Sequence, residues 1–181
     1  MPPTDTETDP IRARILDATS VALAHYGPRK LSLTDIAASA GVSRPTLYRR
    51  FTGKEELLRA LAAHEKRRFR AELAVALHGL DGAARLDGAL RFVVEFQRDY
   101  QLRDLVAVEP TFMLDQLEQA LRTMTAPLVA LFEALPPTSS AAATPSDLAD
   151  LVVRTALSHF LIPGDDDQLL RELRHIAGTG G

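Results

Sequence analysis

The chain has 181 residues, no cysteine and a formal net charge of −3, so it can bury a proper core without staples, and disulfides, thiolate metal sites and cysteine nucleophiles are excluded. No run approaches the roughly 20 apolar residues that a bilayer span needs, and the acidic, polar stretch Met1–Pro10 lacks the layout of a secretory leader, so a soluble, cytoplasmic protein with no membrane partner is expected. The charge is uneven: residues 1–70 carry 13 Lys and Arg against 8 Asp and Glu, residues 71–181 carry 8 against 16, which suggests that only the first part faces a polyanion.

Alternating β-branched runs and Asn-Gly or Asp-Gly turns are almost absent, while apolar residues recur at three- and four-residue spacing, so the fold class expected is all-α. Ile11, Ile15, Ala18, Ala22 and Tyr26 mark a first helix, ended by Gly27-Pro28. Ser32-Leu33-Thr34-Asp35 has the form of a capping box for a short second helix that turns Ile36, Ala37 and Ala40 inward. Gly41 breaks it. Ser43 can cap a third helix, with Pro45 in the first turn where backbone N–H groups lack partners anyway. Thr52-Gly53-Lys54-Glu55 reads as another capping box, opening a long fourth helix through Leu57, Leu58, Leu61, Ala62, Glu65, Phe69 and Leu73 to Gly79 and Gly82.

Residues 86–135 form a second helical block with an apolar stripe at Leu90, Val93, Val94 and Phe96, and breaks or kinks are expected at Pro110 and Pro127. The stretch from Pro136 to Ser146 reads as a mobile loop. Thr144-Pro145-Ser146-Asp147 then caps a helix carrying Leu148, Leu151, Val152, Ala156, Phe160 and Leu161, stopped by Pro163-Gly164. Asp165, Asp166 and Asp167 open a last helix, with Arg171, Arg174 and His175 towards its other end.

Three short helices and a long one, with basic charge concentrated in them, is the layout of a DNA-reading domain on a connector. A helix-turn-helix needs a small residue where its helices touch, a flexible one in the turn and an apolar plug after it; Ala37, Gly41 and Val42 fit. Leu47 and Phe51 would anchor the recognition helix. Arg44, Pro45, Thr46, Tyr48, Arg49 and Arg50 are then left for the groove and its flanking phosphates. Arginine can bond a guanine edge bidentately, and the Thr46 methyl suits a thymine methyl. Tyr48, Thr34 and Lys54 are better placed to hold phosphate.

The run Leu33–Leu58, with its Ile-Ala…Ala-Gly-Val-Ser turn, Leu-Tyr…Phe helix and Lys-Glu-Glu-Leu-Leu start, resembles the tetracycline-repressor (TetR) family. The resemblance covers about residues 11–61. It implies a helix-turn-helix DNA-binding domain at residues 10–56 and a helical effector-binding and dimerisation domain at 57–181. It further implies that Thr34, Arg44, Pro45, Thr46, Tyr48, Arg49 and Lys54 meet double-stranded operator DNA, and Ser43 and Arg50 are expected there with them. Arg49-Arg50 stands where relatives often carry an aromatic or histidine pair, making this recognition helix more basic.

For the second block the resemblance implies a cavity for a small hydrophobic effector, with Phe92, Phe96, Phe112, Met113, Met124 and Phe132 as candidate lining residues and Glu95, Arg122 and His159 as polar candidates; all six apolar types also suit plain core. A homodimer paired through the helices at 147–162 and 165–177 is expected, because Leu151, Val152, Phe160, Leu169, Leu170 and Leu173 offer more apolar surface than two terminal helices need. The five histidines are scattered, with no His-Glu-x-x-His pattern, and neither a nucleophile elbow nor a Gly-rich nucleotide loop is present. No metal, no cofactor and no enzymatic activity are expected. The readings to be separated are therefore a ligand-responsive repressor, a helical carrier or enzyme with an incidental basic end, and a regulator that activates or answers to a protein partner.

Overall fold

The computed structural model describes residues 9–100, 110–135 and 143–179. Within them are eight α-helices and no strand: α1 Pro10–Lys30, α2 Leu33–Ser39, α3 Arg44–Arg50, α4 Lys54–Ala76, α5 Gly82–Arg98, α6 Pro110–Glu133, α7 Pro145–Leu161 and α8 Asp166–Ala177. The protein is all-α, with a helix-turn-helix at its N-terminal end.

The punctuation read from the sequence sets most of these boundaries. Asp9 caps α1, accepting from the Ile11 and Arg12 amides. Gly27 breaks that helix with φ of 70°, so Pro28–Lys30 is a separate final turn. Tyr26, just before the break, is 61% exposed; the buried face runs instead through Ile15, Leu16, Thr19 and Leu23. Thr144 and Asp147 form the full reciprocal capping box of α7. Of the stretch from 136 to 146, residues 136–142 lie outside the described residues.

One local expectation is corrected and another, a break or a kink at Pro127, is narrowed. The carboxylate that reaches back over the start of α4 is Glu56, not Glu55: both the amide and the hydroxyl of Thr52 donate to it, at 2.7 and 2.6 Å, and the N-cap itself is Gly53. Pro127 does not break α6, which runs on to Glu133. A proline inside a helix forfeits one backbone hydrogen bond and crowds the preceding turn. Here the Thr123 and Thr125 hydroxyls bond back to the Gln119 and Leu121 carbonyls, a pattern that accompanies helix bending.

The first core joins α1 to α4: Ile15, Leu16, Leu23, Ile36, Leu47, Phe51, Leu57 and Leu61, and it also takes in Met113 of α6 and Phe160 of α7. A second core joins α5, α6, α7 and α8 through Leu86, Leu90, Leu128, Phe132, Val152, Leu169 and Leu173. Arg174 ties α8 to α5 by two hydrogen bonds to Asp87, holding that carboxyl below its usual range. Val152, Phe160, Leu169 and Leu173 are therefore occupied inside the chain's own cores. Of the apolar surface expected to drive pairing, Leu151 stays exposed and Leu170 half-buried, and Ile162, at the C-terminal cap of α7, is 77% exposed.

Candidate nucleic-acid interface and effector cavity

The helix-turn-helix is held by its turn. Gly41 adopts φ of 64°, which L-residues other than glycine avoid. A Cβ there would stand 2.8 Å from Arg14 Nη2, because Arg14 of α1 reaches over to donate to the Ala40 and Gly41 carbonyls. Ser43 caps α3 through the Thr46 amide at 3.2 Å, and its hydroxyl lies 2.8 Å from that of Thr46. The Thr46 hydroxyl is thus engaged locally.

Leu47 and Phe51 seat α3 on the core at 0% and 1% exposure. At about 100° per residue, Arg49 points away from that seam, flanked by Pro45 and Tyr48, with Arg44 at the leading end. Arg44, Pro45, Tyr48 and Arg49 are all exposed, Tyr48 to 53%. Ser43 is exposed at the cap, and Thr34 half-buried on α2.

Arg50 has a different setting. Its Nε donates to Asp9 Oδ2 at 2.7 Å, and its side chain is 20% exposed. That hydrogen bond holds the Asp9 carboxyl below its ordinary value. Asp9 therefore caps α1 and neutralises one arginine of the recognition helix. Lys54, at the start of α4, donates from Nζ to the Arg29 carbonyl at 3.3 Å. Of the nine residues expected at DNA, Ser43, Arg44, Pro45, Thr46, Tyr48 and Arg49 lie together along the cap and α3, Thr34 and Lys54 flank them, and Arg50 is turned back on the protein. Sequence spacing carried no sign of this, since its partner lies 41 positions away.

Beyond this unit a cavity of about 170 Å³ lies between α4, α5, α6 and α7. Phe96, Met113 and Met124 line it, as do Phe69, Tyr100 and Phe160. Phe92 packs behind Phe69, rings 5.3 Å apart, Phe112 packs on the first core, and Phe132 is part of the second. Glu95 and Arg122 are exposed, and His159 lies 3.3 Å from Asp166. The buried polar residues that line the cavity are Glu65 and Gln97, at 9% and 6% exposure, beside the more open Lys66, Gln116, Gln119 and Thr123. Burial pushes the Glu65 carboxyl up, against the opposing pull of Arg68. Burial, then the nearby Glu65, also raises the Tyr100 hydroxyl. Glu65 did fall in the inward pattern of the fourth helix, and that was the signal available for it. A wider open groove of about 1090 Å³ adjoins along α4 and α6, sharing Lys66, Gln119 and Thr123 with the cavity.

Among the described residues no group of three or more His, Asp or Glu is placed to hold a metal ion, and no helix is long and apolar enough to cross a membrane.

Residues 15–61 match the family model described as bacterial regulatory proteins, tetR family. Among curated proteins, the chain is 37% identical over 114 residues to the HTH-type transcriptional repressor LfrR of Mycolicibacterium smegmatis, covering 58% of this chain and 53% of that protein. It is 39% identical over 64 residues to an HTH-type transcriptional regulator of Mycobacterium tuberculosis, covering 35% of this chain and 32% of that one. The matched part thus spans about half, or less, of these relatives' length. Among solved structures, the fatty acid degradation regulator FadR of Bacillus halodurans superposes with a TM-score of 0.71 at 18% identity, over 95% of this chain and 96% of that one. A TetR-like regulator from Rhodococcus sp. RHA1 gives 0.66 at 21%, over 94% of each. The family and these relatives are transcriptional regulators, not enzymes.

Proposed function

We infer that this chain, a TetR-family protein whose DNA-binding domain is its N-terminal helix-turn-helix, is a repressor that binds a palindromic operator as a homodimer and lets go when a small, largely apolar effector fills the cavity behind that domain. The observation that carries the reading is the presentation of α3: its inner face is locked by Leu47 and Phe51, while Arg44, Pro45, Tyr48 and Arg49 stand clear of the core on one side. A helix fixed from behind and bare in front suits a major groove. The roles follow from position. Arg44, Pro45 and Thr46 meet base edges, Tyr48 and Arg49 the backbone or groove wall, and Thr34 and Lys54 the flanking phosphates. Arg50 holds the helix through Asp9. A relative named as a repressor supports repression over activation.

The route from effector to DNA runs through Met113 and Phe160, which line the cavity and belong to the core beneath the helix-turn-helix. An effector that fits one arrangement of that wall better than another shifts the population between them. Two chains pair through α7 and α8, where Leu151, Leu170 and Ile162 remain at or near the surface.

Selection of bound duplexes from a random pool tests this. The expected result is an inverted repeat with half-sites about one helical turn apart and affinity that falls steeply with salt. No enriched sequence, salt-insensitive binding, or a monomer at micromolar concentration in sedimentation would overturn it.

A further inference from the structure

Two buried side-chain atoms facing the cavity find no hydrogen-bond partner among the described residues: Glu65 Oε2 and Gln97 Oε1. Both are acceptors. An unpaired buried acceptor carries a desolvation penalty that an arriving donor removes. Around them the lining is aromatic. Phe69 and Phe96 meet edge-on at 4.9 Å, Phe96 stacks on Tyr100 at 5.7 Å, and Tyr100 lies 6.0 Å from Phe160. Ring faces carry negative potential and attract cations.

The chain already shows what this corner accepts. The Arg68 guanidinium lies over Phe96 at 5.5 Å, and its Nη1 comes within 3.4 Å of Glu65 Oε2 without completing a hydrogen bond. Arg68 is at the rim, 39% exposed, and is also drawn outward to Glu72 at 3.0 Å. It pairs with the Glu65 carboxylate by charge but donates no hydrogen bond to Oε2. Lys66, the other nearby cation, is exposed at the cavity's edge. An anionic head would face Glu65, and a hydrocarbon would leave both acceptors dry and unpaired.

We propose that the cavity takes a small aromatic ammonium compound, its ring among Phe69, Phe96, Tyr100 and Phe160 and its N–H groups donating to Glu65 Oε2 and Gln97 Oε1. The proposal rests on reading the cavity as the effector site, and it assigns that site a cationic, donor-bearing ligand rather than a plain lipid.

Calorimetric titration of the full chain with three probes of one shape tests it: 2-phenylethylammonium, propylbenzene and 3-phenylpropanoate. The ammonium binds at least about tenfold more tightly than propylbenzene, and 3-phenylpropanoate does not bind. Glu65→Gln removes the ammonium's advantage and leaves propylbenzene unchanged; Gln97→Leu removes part of it. The wild-type comparison stands alone should either variant fail to fold. Propylbenzene or 3-phenylpropanoate binding as tightly as the ammonium, or no probe binding at millimolar concentration, overturns the proposal. Binding to operator DNA, measured beside it, separates the two readings. Ammonium held through Glu65 with DNA affinity unchanged supports the proposal and sinks the effector reading. DNA release by propylbenzene alone does the reverse.

Discussion

At its N-terminal end, α4 abuts a unit whose polar groups are paired with their neighbours. Ser43 closes α3, Glu56 closes the turn at Thr52, Asp9 holds Arg50, and Arg14 holds the Ala40 and Gly41 carbonyls. Eleven residues further along the same helix, roughly 17 Å at 1.5 Å per residue, Glu65 lines a cavity together with Gln97 of α5, and one acceptor of each finds no hydrogen bond among the described residues. On the proposed function, the first region keeps one shape for a rigid duplex, and the second leaves something for a ligand to finish. A polar group is thus a paired fastener near the surface in one place and an incompletely paired buried acceptor in the other, and the expected sign of its contribution to stability reverses.

The largest test breaks the fastened region from within. Leu47→Ala removes the side chain that seats α3, and a loss of about 2–5 kcal/mol is expected in urea unfolding, together with loss of DNA binding. Gly41→Ala strikes the turn. Strain at positive φ costs about 1–2 kcal/mol, to which the approach to Arg14 adds, and both the melting temperature and DNA affinity should fall.

The next pair tests the reversal of sign directly. Ser43→Ala removes a cap and should cost about 1 kcal/mol. Glu65→Leu removes a carboxylate whose charged form burial disfavours, while the half-exposed Arg68 keeps Glu72, and should gain on the order of 1 kcal/mol. Both are read by chemical denaturation at pH 7. If Glu65→Leu destabilises as Ser43→Ala does, the two regions are built alike and the contrast is gone.

The smallest expected effects concern charge. Arg49→Ala should leave folding within about 0.5 kcal/mol of the parent while reducing the slope of log affinity against log salt by about 1. Asp9→Asn frees Arg50, so affinity for random DNA should rise and its salt slope steepen. The pH dependence has a definite sign. The Asp9 carboxyl is lowered in the fold by its hydrogen bond from Arg50, so the link contributes above the ordinary aspartate value of about 3.9. Its contribution disappears as pH falls through the lowered value. Thermal melts of the parent and Asp9→Asn should therefore differ at neutral pH and converge in acid; a difference that persists in strong acid would leave Asp9 acting only as a helix cap.

What was legible beforehand is what local chemistry dictates. Gly27, Gly41, Ser43 and Thr144 announce helix ends within four or five residues of themselves, and the alternation of Leu47 and Phe51 with arginines identifies the buried side of α3. Arg50 was assigned to the groove because nothing near it in the chain reveals Asp9. The cavity's polar residues were sought at Glu95, Arg122 and His159, yet on α5 it is Gln97, two positions from Glu95, that turns inward. Which face of α5 looks at α4 is decided by packing between helices. The apolar residues of α7 and α8 were read as a surplus for a second chain, because composition does not say how much surface α5 and α6 will cover. Pro127 forfeits a backbone hydrogen bond without ending its helix, because the turns on either side keep theirs.

Met113 and Phe160 serve two enclosures at once, the core under the helix-turn-helix and the cavity beyond it. Heritable change in this protein is thereby channelled. If the cavity holds the effector as proposed, a lineage that retunes its ligand through either residue alters its grip on DNA in the same step, and selection must approve both outcomes together. Substitution at Gln97 carries a lighter obligation, since it is no part of that core. New chemical tastes should accumulate on α5, while the shared partition drifts slowly.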